Sequence, residues 1–402
     1  MLNNKPKIRR PMEKLKILIT TPSFPPLNSG LGNAVYRQVT MLSSFGFNVV
    51  IATGGEARLT RVERELGVCI EEFNVSGSDS LINPLKGNIE SYKDFLMRSD
   101  FDLILMNAWQ TWSTDICLRH IGDISGKKVI YSHCISTNVF FVDQPAKSLA
   151  RYLLWRPYFL KVRANLKKLD ALICLASEGE DSRFDDVEIA KNVGLPIHIV
   201  PNVLSEDALK YIDLPPESIE YRNQIISVGS YDWNKGHDFV LRAYALSSAK
   251  NLIPLKIYGQ KFTSFTEKLR MQALKLGIKN QFLEFHEGIS GSDLLHEYRK
   301  SIAFLYGSRT ECQPLVILDA MASGTPFVSR GTGCICTLRG GYSVDSEFRA
   351  AKCLDKVIEC KEEWYTLSVD GVEAAKANYQ TEIVGQKLVT VIHNICNDIY
   401  DF

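Results

Sequence analysis

The sequence carries no surplus of charge: 47 lysines and arginines stand against 46 aspartates and glutamates, a formal net charge of +1. A dedicated nucleic-acid binder is therefore not expected, since no global field would hold a phosphate backbone. Nor does any run approach the ~18 uninterrupted apolar residues that span a bilayer. The basic start, with Lys5, Lys7, Arg9 and Arg10, leads into Leu15–Ile19, which Lys16 interrupts and which is too short for a secretory leader. A cytoplasmic protein is expected. Short-period repeats and low-complexity tracts are missing, which excludes solenoids and fibres. The ten cysteines lack the dense spacing of a disulfide scaffold, and most are expected as reduced core residues. Cys334, Cys336, Cys353 and Cys360 lack zinc-ligand spacing and have no histidine near them in sequence, so neither a metal site nor a resident cofactor is expected.

What is present is 402 residues, 45% hydrophobic and 23% charged, enough for two or three cores of ordinary globular composition. Short β-rich runs alternate with helical periods along the whole length, which defines an α/β chain with parallel sheets. The first series runs from Leu15–Thr20 through Asn48–Thr53, Asp102–Met106, Val129–Ser132 and Ala171–Leu175 to Ile197–Val200. A polar stretch around Pro215 and Pro216 reads as a linker over residues 205–223. The second series holds Gln224–Gly229, Pro254–Gly259, Phe282–Phe285, Ile302–Tyr306 and Pro326–Ser329. Two Rossmann-like domains follow, residues 1–204 and 224–381, with a last helix over about 382–402 that could pack back onto the first. Strand C-terminal ends from both halves would then meet across a cleft, where open α/β sheets bind ligands.

Three loops draw attention. Thr21–Tyr36 contains Gly30 and Gly32 between a strand and a helix, where backbone amides can meet an anion. It is too long for a dinucleotide fingerprint, has Val35 at the third glycine position, and is equally readable as an ordinary turn. Gly229-Ser230 followed by Lys235-Gly236 occupies the matching place in the second half. A lysine before a helix N-terminus suits a diphosphate, or is simply a solvated surface charge. The third is Gly307-Ser308-Arg309-Thr310-Glu311-Cys312-Gln313-Pro314-Leu315-Val316, running on to Asp319, Gly324 and Pro326. Pro314 suits a first helical turn, and Leu315, Leu318 and Met321 give that helix an apolar stripe. Glu311 then precedes the helix and Asp319 lies inside it, seven residues intervening.

In this order the motifs resemble the retaining GT-B glycosyltransferases of family 4, the glycosyl transferases group 1. The resemblance rests on Gly30-Leu-Gly32, Ser132-His133, Pro201-Asn202, Val228-Gly229, Lys235-Gly236 and the string from Glu311 to Pro326. It implies a GT-B fold, with the acceptor on the first domain and a nucleotide diphosphate sugar on the second. The activity implied is retaining, metal-independent transfer of the sugar to a glycan or glycolipid hydroxyl, in polysaccharide or glycoconjugate synthesis. By the same resemblance Glu311 contacts the donor sugar, Asp319 the ribose, Lys235 the diphosphate, and His133 lies near the reacting sugar; read by itself, His133 is a core histidine. Gly30, Gly32, Gly229, Ser230, Arg309, Cys312, Gln313, Pro314, Leu315 and Val316 join the implied donor-binding set. Two departures stand out: Ser230 where the family commonly has arginine, and Asp319 in place of glutamate. The fold also serves sugar-nucleotide epimerases, and Ser230 fits a non-catalytic sugar-nucleotide-binding scaffold. Residues 151–168 mix basic and large apolar side chains, which suits either a covering helix or peripheral contact with an anionic membrane that holds a lipid-linked acceptor.

Overall fold

Runs of β-branched and aliphatic residues set the strands, and amphipathic segments between them cover both faces. The computed structural model describes residues 15–26, 29–63, 66–135, 139–141, 144–179, 184–289 and 291–396. Met1–Pro11 and residues 397–402 of the expected last helix lie outside the described residues. The chain forms two compact units. One is built from the residues up to Ser177, the stretch ending at Val203 and the residues from Thr381; the other spans Leu204–Gln380.

The first unit begins β1 (Lys16–Thr20), α1 (Gly30–Ser44), β2 (Asn48–Gly54), β3 (Leu59–Glu63) and β4 (Val68–Phe73). A small ribbon, β5 (Val75–Ser76) and β6 (Lys86–Gly87), precedes α2 (Ile89–Arg98). Then come β7 (Leu103–Asn107), α3 (Trp112–Arg119), β8 (Lys127–Ser132), α4 (Pro145–Leu166), β9 (Ala171–Cys174), α5 (Asp185–Val193) and β10 (Ile197–Ile199). The main sheet has the order β10-β9-β8-β7-β1-β2-β4-β3. Its pairs are parallel except β3 with β4. That antiparallel hairpin is not anticipated from the sequence, because the LTRVE segment of β3 sits on an open edge and carries no buried face. The central strands β1 and β7 are buried almost throughout, as a sheet covered on both faces requires.

The second unit opens with α6 (Glu206–Ile212), β11 (Gln224–Val228), α7 (His237–Leu246), β12 (Leu255–Gly259), α8 (Ser264–Lys275) and β13 (Leu283–Glu287). It continues with α9 (Gly291–Arg299), β14 (Ser301–Tyr306), α10 (Leu315–Ala322), β15 (Phe327–Arg330), β16 (Gly341–Val344), α11 (Glu347–Glu359) and α12 (Lys361–Asn378). The stretch 205–223 is thus not a linker. Ser205 caps α6 by accepting from the Ala208 amide at 3.1 Å, Ala208 and Ile212 are buried, and Arg222 is buried under four backbone carbonyls and Thr325. Its polar composition reflects caps and a buried guanidinium as well as exposed positions. The last helix, α13 (Thr381–Cys396), belongs to the first unit, where it packs on α1.

The second sheet has the order β13-β12-β11-β14-β15-β16, all parallel. Numbered within the unit this is 3-2-1-4-5-6, the doubly wound order, whose direction of winding reverses between β11 and β14. In the first unit the same reversal falls between β1 and β7. At such a reversal the loops leaving neighbouring strands diverge and open a crevice.

The loops after β11 and β14 touch through bare backbone. Gly236 has φ +61°, and a Cβ there would lie 1.9 Å from the Gly307 carbonyl oxygen; a Cβ on Gly307 would lie 2.2 Å from that of Gly236. Neither position has room for a side chain. Gly236→Ala combines a left-handed backbone with this clash and is expected to cost the second unit about 3 kcal/mol or more. Urea unfolding followed by circular dichroism measures it; a variant as stable as the parent would mean that the two loops are not held in contact.

Candidate functional site

In the second unit the crossing of the two loops brings Lys235 to Glu311. The loop after β11 makes a 3-10 turn, Trp233–Lys235, capped by Asp232, whose Oδ1 accepts from the Asn234 and Lys235 amides at 2.8 and 3.3 Å. Ser230 Oγ donates to the other Asp232 oxygen at 2.5 Å. Gly229 directly follows β11, with the Lys235 stem lying over it, 3.2 Å from where a Cβ would stand. From this turn Lys235 Nζ donates to Glu311 Oε1 at 2.7 Å. Tyr306 OH and Ser308 Oγ donate to that same oxygen at 2.5 and 2.8 Å. Burial and the nearby Glu311 carboxylate push the Tyr306 phenol well above its ordinary pKa, so it stays a donor. Three donors therefore fix Oε1, while Glu311 Oε2 has no hydrogen bond among the described residues. The carboxylate is oriented with one oxygen engaged and one available.

After Glu311 comes a tight passage into α10. Cys312, half-buried, accepts through its carbonyl from the Cys334 amide at 2.9 Å, and Gln313 is buried. Pro314 stands at the N-cap, and α10 starts at Leu315 and Val316 with no side-chain cap and no acid in its first turn. Such an uncapped N-terminus presents amides and the positive end of the helix dipole to an anion. Asp319 lies one turn inside, half-buried, accepting from Ser205 Oγ at 3.4 Å.

Arg309 sits elsewhere. Its guanidinium is buried, forked onto Asp238 at 2.8 and 2.7 Å, and bonded to the Trp233 carbonyl at 2.7 Å. Burial raises the Asp238 carboxyl, but Arg309, with Arg242 beyond it, outweighs this and holds it at about 2. Arg309 thus locks the β14 loop to α7 and the 3-10 turn, within the interior of the unit and not on a ligand-facing surface.

In the first unit Gly30 and Gly32 open α1. Ser29 caps the helix by accepting from the Gly32 amide at 2.8 Å, so that amide is already engaged. His133 follows β8, half-buried, and its Nε2 donates to Asn107 Oδ1 at 3.3 Å; Asn107 Nδ2 in turn donates to Gln38 Oε1 at 3.1 Å. The Asn107 amide, held by Gln38, sets the imidazole as the Nε2–H tautomer with Nδ1 as an acceptor. Burial pushes its pKa down to about 4. Gln38, Asn107, Tyr131, His133, Pro201 and Asn202 line one small crevice beside the β1/β7 reversal. Ser132 Oγ and Trp109 Nε1 both donate to the buried Asp186, at 2.5 and 2.8 Å, and hold the β7 and β8 loops.

Sequence reasoning missed Asn107, Gln38, Tyr306 and Ser308. Asn107 had a signal: a polar residue closing an otherwise apolar buried strand. The loop backbone had none, since Ala108, Gln110 and Cys134 take positive φ (66°, 61° and 68°) without being glycine. Strain of this kind clusters at sites. Among the described residues no group of three or more His, Cys, Asp and Glu side chains is placed to hold a metal ion, and no helix is long and apolar enough to cross a membrane.

Residues 215–343 match the family model described as glycosyl transferases group 1, which includes the β11 and β14 loops. No curated protein sequence matches the chain. Among solved structures it is similar to sucrose-phosphate synthase from Thermosynechococcus elongatus, with a TM-score of 0.72 at 16% identity, covering 96% of this chain and 100% of that one. A glycosyltransferase from Rickettsia africae gives 0.68 at 15% identity over 95% and 98% of the two chains. HepE from Anabaena, solved with UDP and glucose, gives 0.65 at 14% identity over 94% and 100%. These likenesses show the fold: α/β, of the GT-B type, with two Rossmann-like units.

The geometry around His133 predicts an imidazole that stays neutral above about pH 5, because burial disfavours its charged form. Long-range ¹H–¹⁵N correlation spectra, assigned with His133→Gln, should show one Nε2–H tautomer throughout neutral pH; a titration centred near the ordinary ~6.5 would mean that the ring is solvated.

Proposed function

We propose that this chain is a retaining, metal-independent glycosyltransferase that moves a sugar from a nucleotide diphosphate sugar to a hydroxyl of a glycan or lipid-linked acceptor. The observation that carries the reading is the Glu311 carboxylate at the β11/β14 reversal, fixed through one oxygen by Lys235, Tyr306 and Ser308 and open at the other. An oriented, partly desolvated carboxylate of this kind accepts hydrogen bonds from sugar hydroxyls and holds the ring in one pose. The family match over residues 215–343 and the UDP and glucose bound by HepE support a nucleotide-sugar donor.

In this reading Lys235 and the first-turn amides of α10, from Leu315 and Val316, face the diphosphate and stabilise the charge that grows on it as it leaves. Asp319, one turn further along α10, accepts from the ribose hydroxyls. Substitution proceeds on one face of the sugar. The bond from the anomeric carbon to the phosphate oxygen breaks, the acceptor oxygen bonds to that carbon from the same side, and its proton passes to the departing diphosphate. The products are the glycoside and the nucleoside diphosphate, and no protein nucleophile is required. His133, neutral and held by Asn107, offers an uncharged Nδ1 acceptor to a hydroxyl of a ligand in the first unit's crevice.

Binding to uridine, guanosine, cytidine, thymidine and adenosine diphosphate sugars in the presence of chelator, read by ligand-detected NMR, identifies the donor. With that donor and an acceptor, Glu311→Gln is expected to lower kcat by about 100-fold or more with the fold intact, and Asp319→Asn to raise the donor KM by about tenfold with little change in kcat. Unchanged kinetics in Glu311→Gln would remove Glu311 from the site, and an unaltered donor KM in Asp319→Asn would refute the ribose assignment. Product formed from the donor alone would indicate an epimerase.

A further inference from the structure

Helix α4 buries Trp155, Tyr158, Val162 and Leu166 against the first unit, at the helical spacing of one inward face. The outward face of a covering helix is ordinarily polar. Here it carries Leu149, Leu153 and Leu160, which are 55%, 59% and 69% exposed and lie at i, i+4 and i+11, on one stripe. Tyr152 and Leu154, on either side of that stripe, are also exposed.

Charge frames the stripe. The 22 residues of α4 include Lys147, Arg151, Arg156, Lys161 and Arg163 and not one aspartate or glutamate, and Lys167 and Lys168 follow directly. Arg156 and Arg163, seven apart, run along one flank of the leucines; Lys161 lies on the other, and Lys167 and Lys168 follow the helix end. Asp79 pairs with Lys161 and with the neighbouring Arg119, at 3.1 and 2.6 Å. Arg156, Arg163, Lys167 and Lys168 pair with no carboxylate among the described residues and are exposed. In a protein of net charge +1 this is a local concentration of unneutralised cations around exposed leucines.

We propose that the outer face of α4 docks on an anionic lipid surface, with Leu149, Leu153 and Leu160 entering the boundary between headgroups and acyl chains and Arg156, Arg163, Lys167 and Lys168 meeting lipid phosphates. An apolar stripe between basic flanks is the arrangement of a helix lying in a membrane interface: the apolar side chains supply burial and the cations supply attraction that salt screens. A protein partner with an acidic, apolar face would meet the same leucines, but would need carboxylates matched to cations spread along and beyond the helix, which a surface of anionic headgroups provides without register. The proposal does not depend on the transferase reading, because vesicle binding requires no donor.

The test is flotation of the full chain with vesicles of phosphatidylcholine alone and of phosphatidylcholine containing about 30% phosphatidylglycerol. Binding to the anionic vesicles is expected to exceed that to the neutral ones by about tenfold or more, and to fall steeply at about 0.5 M salt. Arg156→Glu with Arg163→Glu should lose that preference, and Leu153→Ser with Leu160→Ser should lose retention by about tenfold. Both pairs lie at exposed positions, so unfolding midpoints should match the parent and separate lost docking from lost folding. Failure to float with anionic vesicles, or equal flotation with both compositions, overturns the proposal. So does a concentration-dependent dimer that the leucine pair abolishes while the parent ignores vesicles, which would assign the face to a second copy of the chain.

Discussion

The second unit is organised by one backbone contact, Gly236 against Gly307. Each residue occupies space that the other's Cβ would need. The two loops leave strands β11 and β14 on either side of the point where the sheet reverses its winding, so without such a contact they would diverge. Their crossing sets the distance between a lysine and a glutamate that are 76 residues apart in sequence and 2.7 Å apart in space. Arg309 reinforces it from below by tying the β14 loop to Asp238 of α7 and to the Trp233 carbonyl.

The first unit solves the same geometrical problem with polar side chains. At its reversal between β1 and β7, Gln38 from α1 holds Asn107 from β7, and Asn107 holds His133 after β8. Each link fixes the direction of the next amide or ring, because a side-chain amide that donates on one side presents its oxygen on the other. Below it, Asp186 gathers Ser132 and Trp109, fixing the β8 and β7 loops to the start of α5. Three non-glycine residues with positive φ, Ala108, Gln110 and Cys134, lie in these same two loops, and the surrounding bonds hold them there.

Much of this was legible in the sequence. The alternation of strand and helix gave two Rossmann-like units, and the Glu311–Pro326 string gave the loop and helix around α10, because proline, an apolar stripe and glycine are local signals. What was hidden depends on long-range partners. The stretch 205–223 reads as a linker by composition, yet Arg222 is buried because carbonyls from distant segments and Thr325 satisfy it. The family resemblance puts Arg309 in the donor-binding set, but Asp238, in a helix 71 residues earlier in the chain, pairs with its guanidinium. The β3–β4 hairpin escapes because an exposed edge strand has no apolar face to announce it.

The same pairings bear on Ser230, the residue that departs from the arginine common in the resembling family. With Arg309 committed to Asp238, Lys235 is the cation that pairs with Glu311 among the described residues, and its placement depends on the short turn that carries it. Asp232 caps that turn through one oxygen and receives Ser230 through the other. Ser230 donates to the capping carboxylate without adding charge, whereas an arginine would bring a second cation to it. Because Lys235 also fixes Glu311, tightening its turn orders the carboxylate as well. The unit thus couples the group that would meet a diphosphate to the group that would meet a sugar, through a single ammonium.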